Sequence, residues 1–175
     1  MWKKVAIAVA VVVVAFLGYV ATRPDTFQVE RSTIIKAAPE KIFGLINNFH
    51  SWQSWSPYEK YDPAMKRTFS GPDSGKGSGY AWDGNDKVGA GSMEVLESTP
   101  SSKIVIKLDF VRPLEGHNTA EFTLVPQGDS TLVTWRMYGP SPFIAKLMGV
   151  FFNMDQMIGK DFAAGLASLK ADTEK

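Results

Sequence analysis

SPFIAKLMGVFFNMDQMIGKDFAAGLASLKA, residues 141–171, reads as one long helix. Ser141 is placed to cap it, and Pro142 takes the first helical position, where its missing N–H costs nothing. Apolar residues recur at Ile144, Leu147, Phe151, Met154, Ile158, Phe162, Leu166 and Leu169, steps of three or four that put one stripe on one face. About 30 residues at 1.5 Å each span roughly 45 Å, long enough to cross a small domain. So long a stripe needs a broad concave partner. The middle of the chain offers one, a run of alternating strands with nothing else to cover it, and the expectation is a curved sheet around this helix with apolar space between them.

From Tyr58 to Gly139 the period is two. Lys66–Ser70, Gly79–Asp83, Gly91–Glu97, Lys103–Arg112, Asn118–Val125 and Thr131–Tyr138 are candidate strands, joined by short segments rich in Gly, Pro, Asp and Ser. Links this short favour an antiparallel meander, because parallel pairs need crossovers for which there is no room. Ile104, Ile106, Leu108 and Phe110 alternate with charged residues, as do Ala120, Phe122 and Leu124, then Val133, Trp135 and Met137. One face is apolar and the other wet, the pattern of a sheet covered on a single side. Upstream, Phe27–Lys36 reads as a first strand. Ala38-Pro39-Glu40 opens a helix bearing Ile42, Ile46 and Phe49, and His50–Trp55 forms a second short turn carrying Trp52 and Trp55.

The N-terminus is an address. Trp2-Lys3-Lys4 precedes an uncharged run, Val5–Ala21, closed by Arg23, Pro24 and Asp25. As a helix this run just crosses a hydrocarbon core of roughly 30 Å. The lysines favour a cytoplasmic N-terminus, with the following domain on the extracytoplasmic side. A cleaved signal is the rival, but Tyr19 would stand where cleavage before Thr22 demands a small side chain. The expected organisation is an anchor and linker, residues 1–25, followed by one α+β domain, residues 26–175. A net charge of +1 gives no basic stripe for nucleic acid, and the absence of cysteine excludes disulfides and thiol chemistry.

The order strand, two short helices, six strands and long helix resembles the helix-grip fold of the START and pollen-allergen-like superfamily. Within it, the chain is similar to the polyketide cyclase/dehydrase-like (SRPBCC) proteins. The residues that carry the likeness are Ala38-Pro39 with Phe43, then Trp52, Trp55 and Asp62-Pro63, and next Tyr80, Trp82 and Gly84 with Gly89 and Gly91. Asn118-Thr119-Ala120, Val133-Thr134-Trp135, Gly159-Lys160-Asp161-Phe162 and Gly165-Leu166 complete the set. The resemblance implies about seven antiparallel strands curved around the C-terminal helix. It also implies a hydrophobic cavity between them for lipids, polyketides or other apolar molecules. It does not imply one reaction, since such relatives include cyclases, carriers and chaperone activators.

Other chemistry is poorly represented. GPDSGKGSG, residues 71–79, lacks the spacing of a phosphate loop and the Ser or Thr that should follow its lysine. His50 and His117 are the only histidines and lie on different elements, so no metal is expected, and no nucleophile elbow is present. No cofactor is expected either. Ligand-cavity candidates are Trp52, Trp55, Tyr80, Trp82, Phe110, Asn118, Phe122, Trp135, Phe151, Met154 and Phe162, whose rings serve equally well as plain core. Phe143, Met148 and Phe152 lie off the main stripe and make the first half of the terminal helix apolar nearly all round. They are candidates for a cavity mouth or a membrane-facing surface. Three readings follow: an anchored binder of a lipid or other hydrophobic small molecule, a cyclase or dehydratase with Tyr80 as donor, and a protein-interaction module docking through the apolar helix half.

Overall fold

Alternating burial of apolar side chains builds one sheet in the computed structural model, which describes residues 1–175. An N-terminal helix, α1 (Trp2–Ala21), leads through a short linker into β1 (Thr26–Ile35). Three helical segments follow, α2 (Pro39–Asn47), α3 (Trp52–Trp55) and α4 (Pro57–Tyr61), with a 3₁₀ turn at Phe49–Ser51. The meander is β2 (Lys66–Ser70), β3 (Gly79–Asp83), β4 (Ala90–Thr99), β5 (Lys103–Arg112), β6 (Gly116–Gln127) and β7 (Ser130–Pro140). Two helices close the chain, α5 (Phe143–Phe151) and α6 (Met154–Thr173). Tyr58, expected at the start of the strand region, belongs instead to α4.

The seven strands run in the order β1-β7-β6-β5-β4-β3-β2, with every pair antiparallel. β1 pairs with the last strand and not with the next, so α2–α4 carry the chain from one edge of the sheet to the other. Shifts of register between β4 and β5, at Ala90/Gly91 and Val95/Glu97, are bulges of the kind that increase curvature. The sheet, the helical crossover and α6 enclose one core, with Val29, Ile104, Ile106, Phe122, Val133 and Trp135 from the strands. Trp52, Trp55, Phe162, Leu166 and Leu169 supply its other side.

The crossover is stitched by its own tryptophans. Trp52 Nε1 donates to the carbonyl of Ile46 at 2.9 Å and Trp55 Nε1 to that of Leu45 at 3.3 Å. Both carbonyls lie in the last turn of α2, where a helix leaves them without internal partners. Their satisfaction by buried indoles fixes α3 against α2.

The terminal segment departs from the single helix expected. Phe152 is extended (φ −122°, ψ 131°), and α6 begins afresh with Asn153 as its cap, its side chain accepting from Gln156 N at 3.0 Å. Asn is a strong N-cap, and Asp155 in the first turn suits the positive end of the new helix. Gly149, Val150, Phe151 and Phe152 are all weaker helix formers than Ala or Leu, so the break falls where continuation gains least. Ser141 caps nothing: its backbone N–H donates to Asp25 O at 2.6 Å. The outcome is a 20-residue α6 across the sheet and a separate α5, none of whose residues is buried.

α6 is seated by one close approach. Phe162 lies flat on Trp135, with ring centroids 4.0 Å apart and planes 7° from parallel. Gly165 permits this, since a Cβ there would stand 2.8 Å from Trp135 Cζ3 and 3.0 Å from Pro57 Cδ. Polar contacts along β1 complete the seat: Arg31 to Asp155, and Lys170 Nζ to Ile34 O at 2.9 Å. Gly165→Val is therefore expected to lower stability by about 2 kcal/mol through overpacking. Gly44→Ala, where nothing lies within 4 Å, is expected to raise it by up to about 1 kcal/mol. Urea unfolding of the detergent-solubilised protein, followed by tryptophan fluorescence, measures both, and a harmless Gly165→Val would contradict this account of the seat.

Candidate functional site

The interior between sheet and α6 is occupied by rings that touch one another. Beyond the Trp135–Phe162 stack, Phe122 and Trp135 have centroids 5.0 Å apart, Trp55 and Trp135 5.6 Å, and Trp52 and Trp55 4.8 Å. Nothing fits between Trp135 and Phe162. Phe110 stands apart from this group, edge-on to Trp82 at 5.8 Å, and Trp82 Nε1 donates to Val88 O at 3.0 Å. Trp135 Nε1 is buried without a partner, on the indole edge opposite the Cζ3 that faces Gly165.

Tyr80 is buried, but its hydroxyl is already engaged. It donates to Glu59 Oε1 at 2.6 Å, and Glu59 Oε2 accepts from Arg67 Nε at 2.7 Å. Burial first, and then the bond to Glu59, push the Tyr80 phenol well above its ordinary range. A proton held so firmly is poorly placed to polarise a substrate carbonyl. Asn118 lies on the inner face opposite Leu108, while His117 and Asp109 pair on the outer face, with Nδ1 2.8 Å from the carboxylate. Arg136 and Glu121 form another outer-face pair at 2.8 Å. No three His, Asp or Glu side chains converge as a metal site requires.

The remaining candidates lie on the outside. Phe151 is 68% exposed, and Phe143, Met148, Phe152 and Met154 are exposed as well. With α5 set off from α6, the apolar stripe that would have faced the sheet turns away from it.

Open space lies beneath α5. A cleft of about 600 Å³ runs between β1, α5 and the first turn of α6. Phe27 and Val29 make its floor, Ala145, Gly149, Val150 and Phe152 its wall, and Arg23 and Pro24 its edge. Val29 belongs to the core and pairs with Met137, so this floor is the inner face of the sheet beside the start of α6. Two ion pairs border the cleft, and Arg23 at its edge has no carboxylate partner. Lys146, with its side chain 9% exposed, holds Asp25 at 2.5 Å. Arg31 grips both carboxylate oxygens of Asp155 at 3.0 Å. These contacts hold the Asp25 and Asp155 carboxyls below the usual carboxylate range and raise the Arg31 guanidinium above its own. A second hollow of about 250 Å³ lies over Thr68, Ser92, Glu94, Lys107 and Asp109 on the wet face of the sheet.

A partly apolar floor and wall, with two neutralised ion pairs and the unpaired Arg23 at the edge, suits a hydrophobic guest with a polar end. Phe27, Val29, Ala145, Lys146, Gly149 and Asp155 carry this arrangement, and none was legible as a site residue. The two ion pairs join residues 121 and 124 positions apart, which no local spacing encodes.

Residues 26–174 match the model of a family described as polyketide cyclase / dehydrase and lipid transport. No curated protein matches the sequence. Among solved structures, protein CV1439 from Chromobacterium violaceum superposes with a TM-score of 0.61 at 16% identity, covering 87% of this chain and 99% of its own. The di-domain ARO/CYC protein StfQ from the steffimycin biosynthetic pathway gives 0.62 at 13%, covering 85% and 51%. Major latex-like protein 151 from Panax ginseng gives 0.59 at 13%, covering 87% and 100%. At these identities the likeness is one of fold.

If the Tyr80 hydroxyl is a structural donor, Tyr80→Phe should lower stability by about 1.5–3 kcal/mol, the usual cost of losing a buried hydrogen bond to a charged group. Denaturant unfolding measures it, and an unchanged midpoint would free Tyr80 for another role.

Proposed function

The chain belongs to the polyketide cyclase/dehydrase and lipid transport family, and from that premise we propose that it is a membrane-anchored binding domain for a lipid or another hydrophobic small molecule. The guest occupies the cleft between β1 and α5. One observation carries the reading: a cleft of about 600 Å³ with Phe27, Val29, Val150 and Phe152 in its lining, within the roughly 300–1,000 Å³ of small-molecule sites, opens beside the end of α1. Asn118 and Phe110, at the same end of the inner face, are proposed to line the deeper part of the path.

The anchor is α1. It has 20 residues and is long and apolar enough to cross a membrane, with nearly all of its side chains exposed. At 1.5 Å per residue it spans about 30 Å, the thickness of the hydrocarbon layer. Its last turns pack on the domain: Val20 is fully buried and Phe16 meets Phe151 at 6.1 Å. That contact supports a retained anchor over a cleaved signal. Lys3 and Lys4 favour a cytoplasmic N-terminus, with the domain on the far side. Binding is favoured over turnover, because the Tyr80 hydroxyl that a cyclase would need is committed to Glu59.

Native mass spectrometry of the full-length protein, released from nanodiscs, tests the proposal. Wild type is expected to carry bound lipid. Gly149→Trp, which fills the cleft, should cut occupancy about tenfold or more with unchanged circular dichroism. A bare wild-type protein, or equal occupancy in the variant, would overturn it.

A further inference from the structure

The geometry points to a second membrane contact: we propose that the corner between α5 and α6, residues 147–154, inserts into the leaflet on the domain's side, next to α1. This rests on the reading of α1 as a membrane span. Two contacts fix the depth. Asp25, just beyond α1, is tied to α5 near its start, through Lys146 Nζ at 2.5 Å and through Ser141 N at 2.6 Å. Phe151, at the end of α5, packs on Phe16 of α1. α5 therefore descends alongside α1, from the level of Asp25 to the level of Phe16. Phe16 lies five residues before Ala21, the last of α1, which is about 8 Å back along the helix axis. If α1 spans the hydrocarbon layer, Phe151 is inside it.

The composition of the corner fits that depth. Leu147 to Asn153-Met154 is a run of eight residues without a charge. The first charges on either side, Lys146 and Asp155, are neutralised by Asp25 and Arg31. Phe151, Phe152 and Met154 are exposed at the corner, and Met157 follows one turn later at 57% exposure. A contiguous apolar surface of this kind is unfavourable in water and favourable among acyl chains. Part of its backbone is satisfied: Phe152 N donates to Met148 O at 2.9 Å, and the Asn153 side chain accepts from Gln156 N. The Asn153 N–H and the Phe152 carbonyl have no protein partner, which sets the corner's backbone at the headgroup boundary, where water reaches it, with the apolar side chains below.

Insertion has a consequence for access. Gly149, Val150 and Phe152 form the wall of the cleft, so a corner immersed in the leaflet brings the cleft to the bilayer. The guest then enters sideways from lipid and never crosses water.

The chain has no cysteine, so single cysteines report without background. Nitroxide labels at Met148→Cys and Phe152→Cys are compared with Val11→Cys in α1 and Asp129→Cys in the β6–β7 turn. The full-length protein is reconstituted in phosphatidylcholine vesicles, and label accessibility to oxygen and to a water-soluble nickel chelate is measured. Labels 148 and 152 are expected to be open to oxygen and closed to nickel, as 11 is, while 129 is open to nickel. Nickel access at 148 and 152 with 11 protected overturns the insertion and leaves the anchor standing. Protection of 148 and 152 from both reagents means that protein covers the corner, and also overturns it. Nickel access at 11 removes the anchor and the insertion together.

Discussion

The flat contact between Trp135 and Phe162 governs the rest of the molecule. It sets the height of α6 above the sheet, and it exists because Gly165 lets the helix backbone come down onto the indole. With Trp52, Trp55 and Phe122 around it, the stack fills the space that a curved sheet and a terminal helix would otherwise enclose. Rings of this size contribute heavily through buried area and edge-to-face packing. The price is paid in volume: a guest cannot sit where these rings meet.

The space removed from one end of the core reappears at the other. α6 begins only at Met154 and meets β1 at Arg31, so Phe27 and Val29 at the start of β1 lie beyond its first turn. α5 covers them loosely, joined to α6 by an extended corner and to the α1 exit by the Lys146–Asp25 pair. The same two ends that hold α5, one at Asp25 and one at Phe16, also tie it to α1. The proposed ligand space and the proposed membrane contact thus both rest on one short helix, with the long helix as its foundation.

Much of the fold was legible because it follows from local periodicity. Ile104, Ile106 and Leu108 alternate with polar residues because only one face of β5 is covered, and an observer needs no partner strand to see it. The site was not legible in the same way. The stripe from Ile144 to Leu169 runs on past the break at Phe152, because the exposed residues of α5 are as apolar as residues turned toward a core. Asn153 followed by Asp155 was the local sign of a new helix start, and it was outweighed by the stripe. Tyr80 read as a free donor because its acceptor, Glu59, sits 21 positions away on a helix too short to show a pattern.

A diazirine-bearing fatty acid, bound to the full-length protein in nanodiscs and photolysed, tests most directly whether the guest lies under α5 and outside the ring stack. Peptide mapping is expected to find the label on Phe27–Val29 and on Ala145–Phe152. Label concentrated on Trp52, Trp55 and Phe122, with α5 unmodified, would contradict the account, because it would place the guest where Trp135 and Phe162 leave no room.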